Sequence, residues 1–170
     1  MQFKVFVEST AQELWQSAVS AFPGTKKRQH AIDPIVIENL KILPFVGMKT
    51  LFLKSDARNE DKTYNPIFIF KGVNYQSPEY SLAATDGKIY TFGRLSLSKN
   101  EVLTRCSCPD FYWRFQHYNH LDGSLQGRNR SSYKRITENM PAANPLELPG
   151  LCKHLMKFAK TLQNSGVVSE

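Results

Sequence analysis

Long apolar runs are missing from this chain, and that absence excludes the most. Nowhere do apolar residues continue for the ~20 positions a helix needs to cross a bilayer. The opening Met1-Gln2-Phe3-Lys4 does not lead into the apolar stretch of a secretory signal. The expected setting is the cytoplasm, with no membrane partner. Cysteine is scarce: Cys106, Cys108 and Cys152 are the only three among 170 residues. An odd number in a reducing compartment argues against a disulfide framework. Cys106 and Cys108, one residue apart, are also badly spaced to bond to each other. Catalytic signatures are absent as well: there is no nucleophile elbow, no glycine loop to cradle phosphate and no paired-carboxylate motif. These absences predict a protein that is not an enzyme and takes no small-molecule substrate. Bulk composition, at 41% hydrophobic and 22% charged, excludes wholesale disorder. The length suffices for a core without disulfides.

Positive charge is in excess, at +7 overall, which favours polyanionic partners without requiring one. The excess is uneven. Arg105 to Lys160 holds nine Lys/Arg against four Asp/Glu, whereas the first 104 residues hold 13 against 10.

The first hundred residues read mainly as strands. Met1 to Glu8 alternates with Phe3, Val5 and Val7 on one face. Thr10-Ala11-Gln12-Glu13 fits a capping box, and Ala11, Trp15, Ala18 and Phe22 lie on one side of the helix that should follow. Pro23-Gly24 should end it, and the basic run Lys26-Lys27-Arg28 reads as a solvated loop. Strand-length apolar runs follow at Ile35 to Ile37, Leu40 to Phe45 and Thr50 to Lys54. The polar stretch Ser55 to Asn65 predicts a surface loop, and Ile67-Phe68-Ile69-Phe70 a strand buried on both faces. Asp86-Gly87 predicts a hairpin of 80–84 with 88–92. Lys99-Asn100 predicts another of 94–97 with 102–106. Beyond Pro109 the chain is aromatic through Tyr118 and then polar. Residues 121–150 read as a long loop, which at that length needs a function or an anchor. The last helix is predicted over 151–163, with Leu151, Leu155, Phe158, Ala159 and Leu162 as its apolar stripe. The expected fold class is α+β: an antiparallel β-sheet with one early helix, then a β-hairpin–helix zinc module. In domain terms this is a β-rich part over 1–100, a zinc module over 101–165 with an insertion at 121–150, and a tail over 166–170.

One constellation carries chemistry: Cys106-Ser107-Cys108 and, far downstream, Cys152-Lys153-His154. On an extended strand, residues i and i+2 share a face, so Cys106 and Cys108 can grip one ion. The first turn of the last helix can aim Cys152 and His154 inward. Three thiolates and an imidazole form a closed tetrahedral set suited to structural Zn²⁺, with no open position for catalysis. With the ion the set sums to −1, which Arg105 and Lys153 can offset while favouring thiolate. The packing alternative, three inert buried cysteines, does not explain why both halves repeat the same one-residue gap. His117 and His120, three apart in the aromatic stretch, are rival ligands, and with Asn119 they faintly suggest a metal-dependent nuclease, though no surrounding motif supports one. Cys152 and His154 are too close in sequence to form a typical cysteine–histidine catalytic pair.

This arrangement resembles the SWIM-type zinc finger, whose pattern is Cys-x-Cys…Cys-x-His, at Cys106, Cys108, Cys152 and His154. Pro109-Asp110-Phe111 after the first pair and Leu155-Met156 after the histidine also resemble that family. The resemblance covers roughly the last 60 to 70 residues. It implies a β-hairpin leading into a helix and binding to DNA or protein. The central spacing here, 43 residues from 109 to 151, is longer than the family's usual spacing and implies an insertion between zinc half-sites. Phe70-Lys71-Gly72-Val73, Cys108 to Phe115 and Asn144-Pro145…Pro149-Gly150-Leu151-Cys152 further resemble small SWIM-containing proteins of tailed bacteriophages. That implies a host-cytoplasmic protein, or one incorporated in the virion, with phage structural proteins as partners. Arg114, Arg128, Arg130, Lys134 and Arg135 are the candidate phosphate contacts, and Tyr112, Trp113 or Tyr118 could stack on bases. Alternation from Phe111 through Trp113 to Phe115 instead favours packing of those three around the metal.

Overall fold

The computed structural model describes residues 9–22, 31–129 and 143–169. The expected strand at Met1 to Glu8, the basic run Lys26-Lys27-Arg28 and the side chains of Arg130, Lys134 and Arg135 lie outside the described residues.

Helix α1, Ala11–Ala21, starts as its sequence predicts. Thr10 Oγ1 accepts from the Glu13 amide at 3.2 Å and donates to Glu13 Oε1 at 3.2 Å. The buried stripe is Ala11, Leu14, Ala18 and Ala21. Trp15 and Phe22 flank it half-buried, so small residues rather than the aromatic ones set the close approach. Thr10→Ala should cost about 1 kcal/mol, read as a lower urea midpoint with unchanged slope.

The main sheet is antiparallel. Strands β1 (Val36–Phe45), β2 (Thr50–Asn59), β4 (Ile67–Phe70) and β8 (Val102–Arg105) lie side by side in that order, with β3 (Lys62–Tyr64) paired to the far end of β2. The predicted loop over Ser55 to Asn65 is therefore a continuation of β2, a turn at Glu60 (φ 58°) and β3. Its inward positions run Leu51, Leu53, Ser55, Ala57, all buried. Two small side chains at the end of the series conceal the alternation. In β4, Phe68 and Phe70 are fully buried while Ile67 and Ile69 are only half-covered, so the strand is core on one face and not on both. Strand β1 is an edge, and it is blunted. Pro44 offers no amide, and Thr85 satisfies Ile42 on both sides, Oγ1 accepting from its N–H at 2.8 Å and the Thr85 N–H donating to its carbonyl at 3.0 Å.

The hairpin around Asp86-Gly87 forms, as β5 (Tyr80–Ala83) and β6 (Ile89–Phe92). Its connection is wider than two residues: the Ala84 N–H reaches the Lys88 carbonyl at 2.9 Å, and Gly87 takes the left-handed φ of 82°. The second predicted hairpin does not form. Strand β7 (Leu95–Ser96) pairs in parallel with β9 (Val168–Ser169), and β8 pairs with β4 in the register Phe70↔Val102 and Phe68↔Thr104. Burial decides the matter. Val102 and Thr104 complete the core row beside the two phenylalanines, and the tail residues Val167 and Val168 are themselves buried.

Helix α3, Lys153–Asn164, lies over the core face of this sheet, with the Phe158 and Phe68 rings 5.6 Å apart. Its predicted stripe, Leu155, Phe158, Ala159 and Leu162, is buried, as is Leu151 just before it. The architecture is α+β, as expected: an early helix, an antiparallel sheet, then helices. No helix among the described residues is long and apolar enough to cross a membrane.

Candidate metal centre

Strand β8 delivers the first pair of cysteines. Its inward series Val102, Thr104 continues past the strand end to Cys106 and Cys108, both buried, while Ser107 points out and its Oγ accepts from the Asn65 amide at 2.9 Å. The chain then coils into one turn of π-helix, Phe111–Phe115, running into α2, Gln116–Asp122. The Phe111 N–H donates to Cys108 Sγ at 3.3 Å, which orients that sulfur. Because this stretch is helical, Phe111 and Phe115 are the buried pair and Trp113 is 50% exposed. The expected packing of all three around the metal is thus corrected: helical spacing sets inward positions four apart, not two.

The second pair arrives on α3. Cys152 is the residue before its first turn and His154 the second within it. A buried asparagine that the sequence offered only beside His117 and His120, as a faint nuclease feature, holds this arrival in place. Asn119 on α2 accepts from the Gly150 N–H at 2.8 Å, and its amide donates to the Gly150 carbonyl at 2.9 Å and to Thr104 Oγ1 at 3.0 Å. One side chain thus joins β8, α2 and the residue two before Cys152. An asparagine among His117 and His120 carries no local signal of such a role.

The result is one cluster. One ligand atom each from Cys106, Cys108, Cys152 and His154 lies within 4.8 Å of all the others, and all four residues are buried. A tetrahedral Zn²⁺ with bonds of about 2.3 Å to sulfur and about 2.0 Å to nitrogen spans edges of roughly 3.5–3.8 Å, about 1 Å inside the 4.8 Å that bounds the observed separations. His154 Nδ1 stands 4.0 Å from Cys152 Sγ. Nε2 is buried with no hydrogen-bond partner among the described residues, and Tyr64 lies against the ring, centroids 5.0 Å apart. Burial pushes the Cys106 and Cys152 thiols well up, whereas hydrogen bonds from Cys106 and then Cys152 pull Cys108 far below the usual thiol range. A divalent cation among the three sulfurs offsets the burial that disfavours their thiolate forms. The donor set fits a metal ion and has the composition of a structural zinc site.

The surroundings differ from the charge scheme read from sequence. Arg105 does not face the cluster. Its guanidinium donates to the Gln126 carbonyl at 2.6 Å, to Gln116 Oε1 at 3.2 Å and to the Arg128 carbonyl. It thereby holds the start of the long loop, whose Leu125 bridges alongside Thr104. Near the other end of that loop, Asn144 Nδ2 donates to the Arg114 and Leu148 carbonyls at 2.9 and 2.7 Å. Arg114 itself pairs with Asp110 at 3.0 Å and lies 4.9 Å from the centre of the Phe22 ring. Burial raises the Asp110 carboxyl, partly countered by Arg114. Arg128 is exposed. His117 Nδ1 contacts Asn129 Nδ2 at 3.1 Å, and His120 is exposed. Neither histidine joins the cluster.

No protein-family model matches the chain. No curated protein matches it. No solved structure matches it.

Proposed function

We propose that this chain is a non-enzymatic zinc-binding protein in which the ion, held by Cys106, Cys108, Cys152 and His154, staples the sheet to helix α3, and that the basic half around it binds nucleic acid, DNA first. One observation carries the reading: the two halves of the set, 44 positions apart, are brought into a single buried cluster. When bound, zinc supplies a fourfold crosslink and no open coordination position. The chain's own residues supply the rest. Asn119 seats the second half-site, and the positive excess from Arg105 to Lys160 supplies attraction to phosphate. The SWIM-type resemblance points the same way.

A second reading has its own support. Phe45, Val46 and Met48, at the connection between β1 and β2, are 46, 50 and 75% exposed, an apolar tip of the kind that protein partners cover. Under that reading the chain is a zinc-stapled structural or assembly protein of a phage particle.

Salt separates the two. A 12-base-pair duplex titrated at about 50 and 200 mM salt should lose roughly 10²-fold in affinity if about four phosphates are neutralised. The combined change of Arg128, Arg130, Lys134 and Arg135 to alanine should remove most of that dependence. No binding of any nucleic acid at the lower salt overturns the first reading. Salt-insensitive sedimentation with assembled particles would support the second.

A further inference from the structure

The face of the main sheet turned away from α3 is not polar. Strand registers carry Leu43, Phe52, Ile69 and Leu103 onto one row across β1, β2, β4 and β8. None of the four packs against the core, whose side chains lie on the other face. Leu43 is 37% exposed, and Phe45, two residues along β1 on the same face, 46%. Of the eleven large apolar side chains exposed among the described residues, six fall between Val36 and Met48. That concentration makes a patch rather than a scatter of single exposed residues.

The adjoining row is cationic. Lys41 stands directly across from Lys54, and like charges in that position destabilise a sheet. Neither ammonium group has an ion-pair partner among the described residues. Asp56, two residues along β2 from Lys54, has its two oxygens held by the side-chain amides of Asn39 at 2.9 Å and Asn65 at 2.6 Å. Glu38 is paired with Arg58 at 3.0 Å. The far end of the row, Arg105, is turned to the loop carbonyls. An apolar row is thus bordered by two adjacent positive charges that no carboxylate among the described residues answers.

From this juxtaposition we infer that the outward face of the sheet receives an amphipathic helix of a partner protein, its apolar stripe on the row from Leu43 to Leu103 and Asp or Glu along the flank that meets Lys41 and Lys54. Dimensions favour a helix. The row crosses three strand spacings, about 14 Å, which about ten helical residues cover, and helical positions three or four apart rise by about 4.5–6 Å, close to one strand spacing. A second copy is the poorer occupant. A stable dimer covers roughly 800 Å² of each partner, more than a row one side chain deep supplies. Stacked bases fit less well too, because Phe52 is the only aromatic residue of the four. The inference rests on the protein-partner reading above, gives that reading a surface, and is independent of the nucleic-acid reading.

The test uses the zinc-loaded full chain and two helical peptides of about 18 residues, long enough to hold a helix. Both carry the same leucine stripe, flanked by glutamate in one and by lysine in the other. Backbone amide shifts and peptide anisotropy are followed at about 50 mM salt. The glutamate peptide should bind roughly tenfold more tightly than the lysine peptide, the contribution of two exposed ion pairs, and should move the amides of Leu43, Phe52, Ile69 and Leu103. Lys41→Glu combined with Lys54→Glu should invert the preference between the peptides, with melting and zinc content unchanged. Lys41→Glu alone makes the cross-strand pair opposite in charge, so it should raise the melting temperature by about 1–2 °C while weakening the glutamate peptide. Leu43→Ser should weaken both peptides about fivefold. Glutamate-peptide binding no tighter than lysine-peptide binding, or shifts confined to residues off this face, overturns the inference. Sedimentation with assembled particles that the double variant leaves undiminished also overturns it, and leaves the protein-partner reading standing. A dimer that Leu43→Ser dissociates overturns it and assigns the face to a second copy. Tighter binding of a twelve-nucleotide thymidylate strand at the same amides overturns it and assigns the face to nucleic acid.

Discussion

Stripping the metal should lower the melting temperature by at least about 6–12 °C, and Cys152→Ser should do the same without chelator. Structural zinc contributes folding free energy directly, about 10–16 kcal/mol in isolated zinc modules. Here a sheet and helix already bury a core, so less of the fold depends on the ion. Even about 3 kcal/mol is large against a total stability of about 5–15 kcal/mol, and a chain of this size loses about 2–4 °C per kcal/mol. The variant is harsher than a simple loss of metal. It leaves Cys106, Cys108 and His154 buried around a missing fourth ligand. The first turn of α3, which has no side-chain cap, should loosen first and show early amide exchange over 153–156. Acidification should release the ion, because protons compete for the same sulfur and nitrogen atoms. Metal content should therefore fall as pH falls and return on neutralisation. Purified protein without zinc, together with an unshifted melt on chelation, would sink the metal assignment.

Asn119→Ala should be the second most damaging change, at about 3 kcal/mol, although the residue touches no ligand. Its three hydrogen bonds go to the Gly150 amide, the Gly150 carbonyl and Thr104 Oγ1, and all these groups are buried. Alanine strands the Gly150 amide and carbonyl, at about 1–3 kcal/mol for each group, while Thr104 Oγ1 keeps its bond to the Ser124 carbonyl. Gly150→Ala reaches the same joint from the other side. A Cβ there would stand 2.6 Å from Phe115 Cε1 and 2.9 Å from Ala18 Cβ, so the chain must shift away from α1 and the π-helical turn. Both variants should weaken zinc affinity as well as stability, because Cys152 and His154 follow Gly150 so closely. Either variant with wild-type stability and metal affinity would show that the joint does not set the second half-site.

Local patterns carried much of this in the sequence. The Cys-x-Cys and Cys-x-His gaps revealed the cluster because the period of a strand and the pitch of a first helical turn each fix where a neighbouring side chain can point. The cap at Thr10 and the stripe of α3 were legible for the same reason. What was not legible depended on distant partners. Val102 to Arg105 could pair with the nearest run or with β4, and only the core row beside Phe68 and Phe70 chooses. Val168 reads as a tail until it meets Leu95. Ser55 and Ala57 fill inward positions with side chains too small to register as a pattern. Asn119 and Gly150, 31 positions apart, form a joint that neither residue announces.

The long reach of these contacts bears on how the protein acquires its shape in time. Ser169 Oγ donates to the Leu95 carbonyl across 74 positions, and the Asn119 clasp closes a further 31. Loop-closure entropy must be met before such contacts return anything, which places a topology of this kind among the slower folders. During that interval Cys106 and Cys108 stand together without Cys152 and His154. Two adjacent thiols in the open are targets for oxidants and for softer metals than zinc. The yield of correctly metallated protein is then decided by a race between chain closure and thiol chemistry, and a reducing, zinc-buffered refolding medium favours closure.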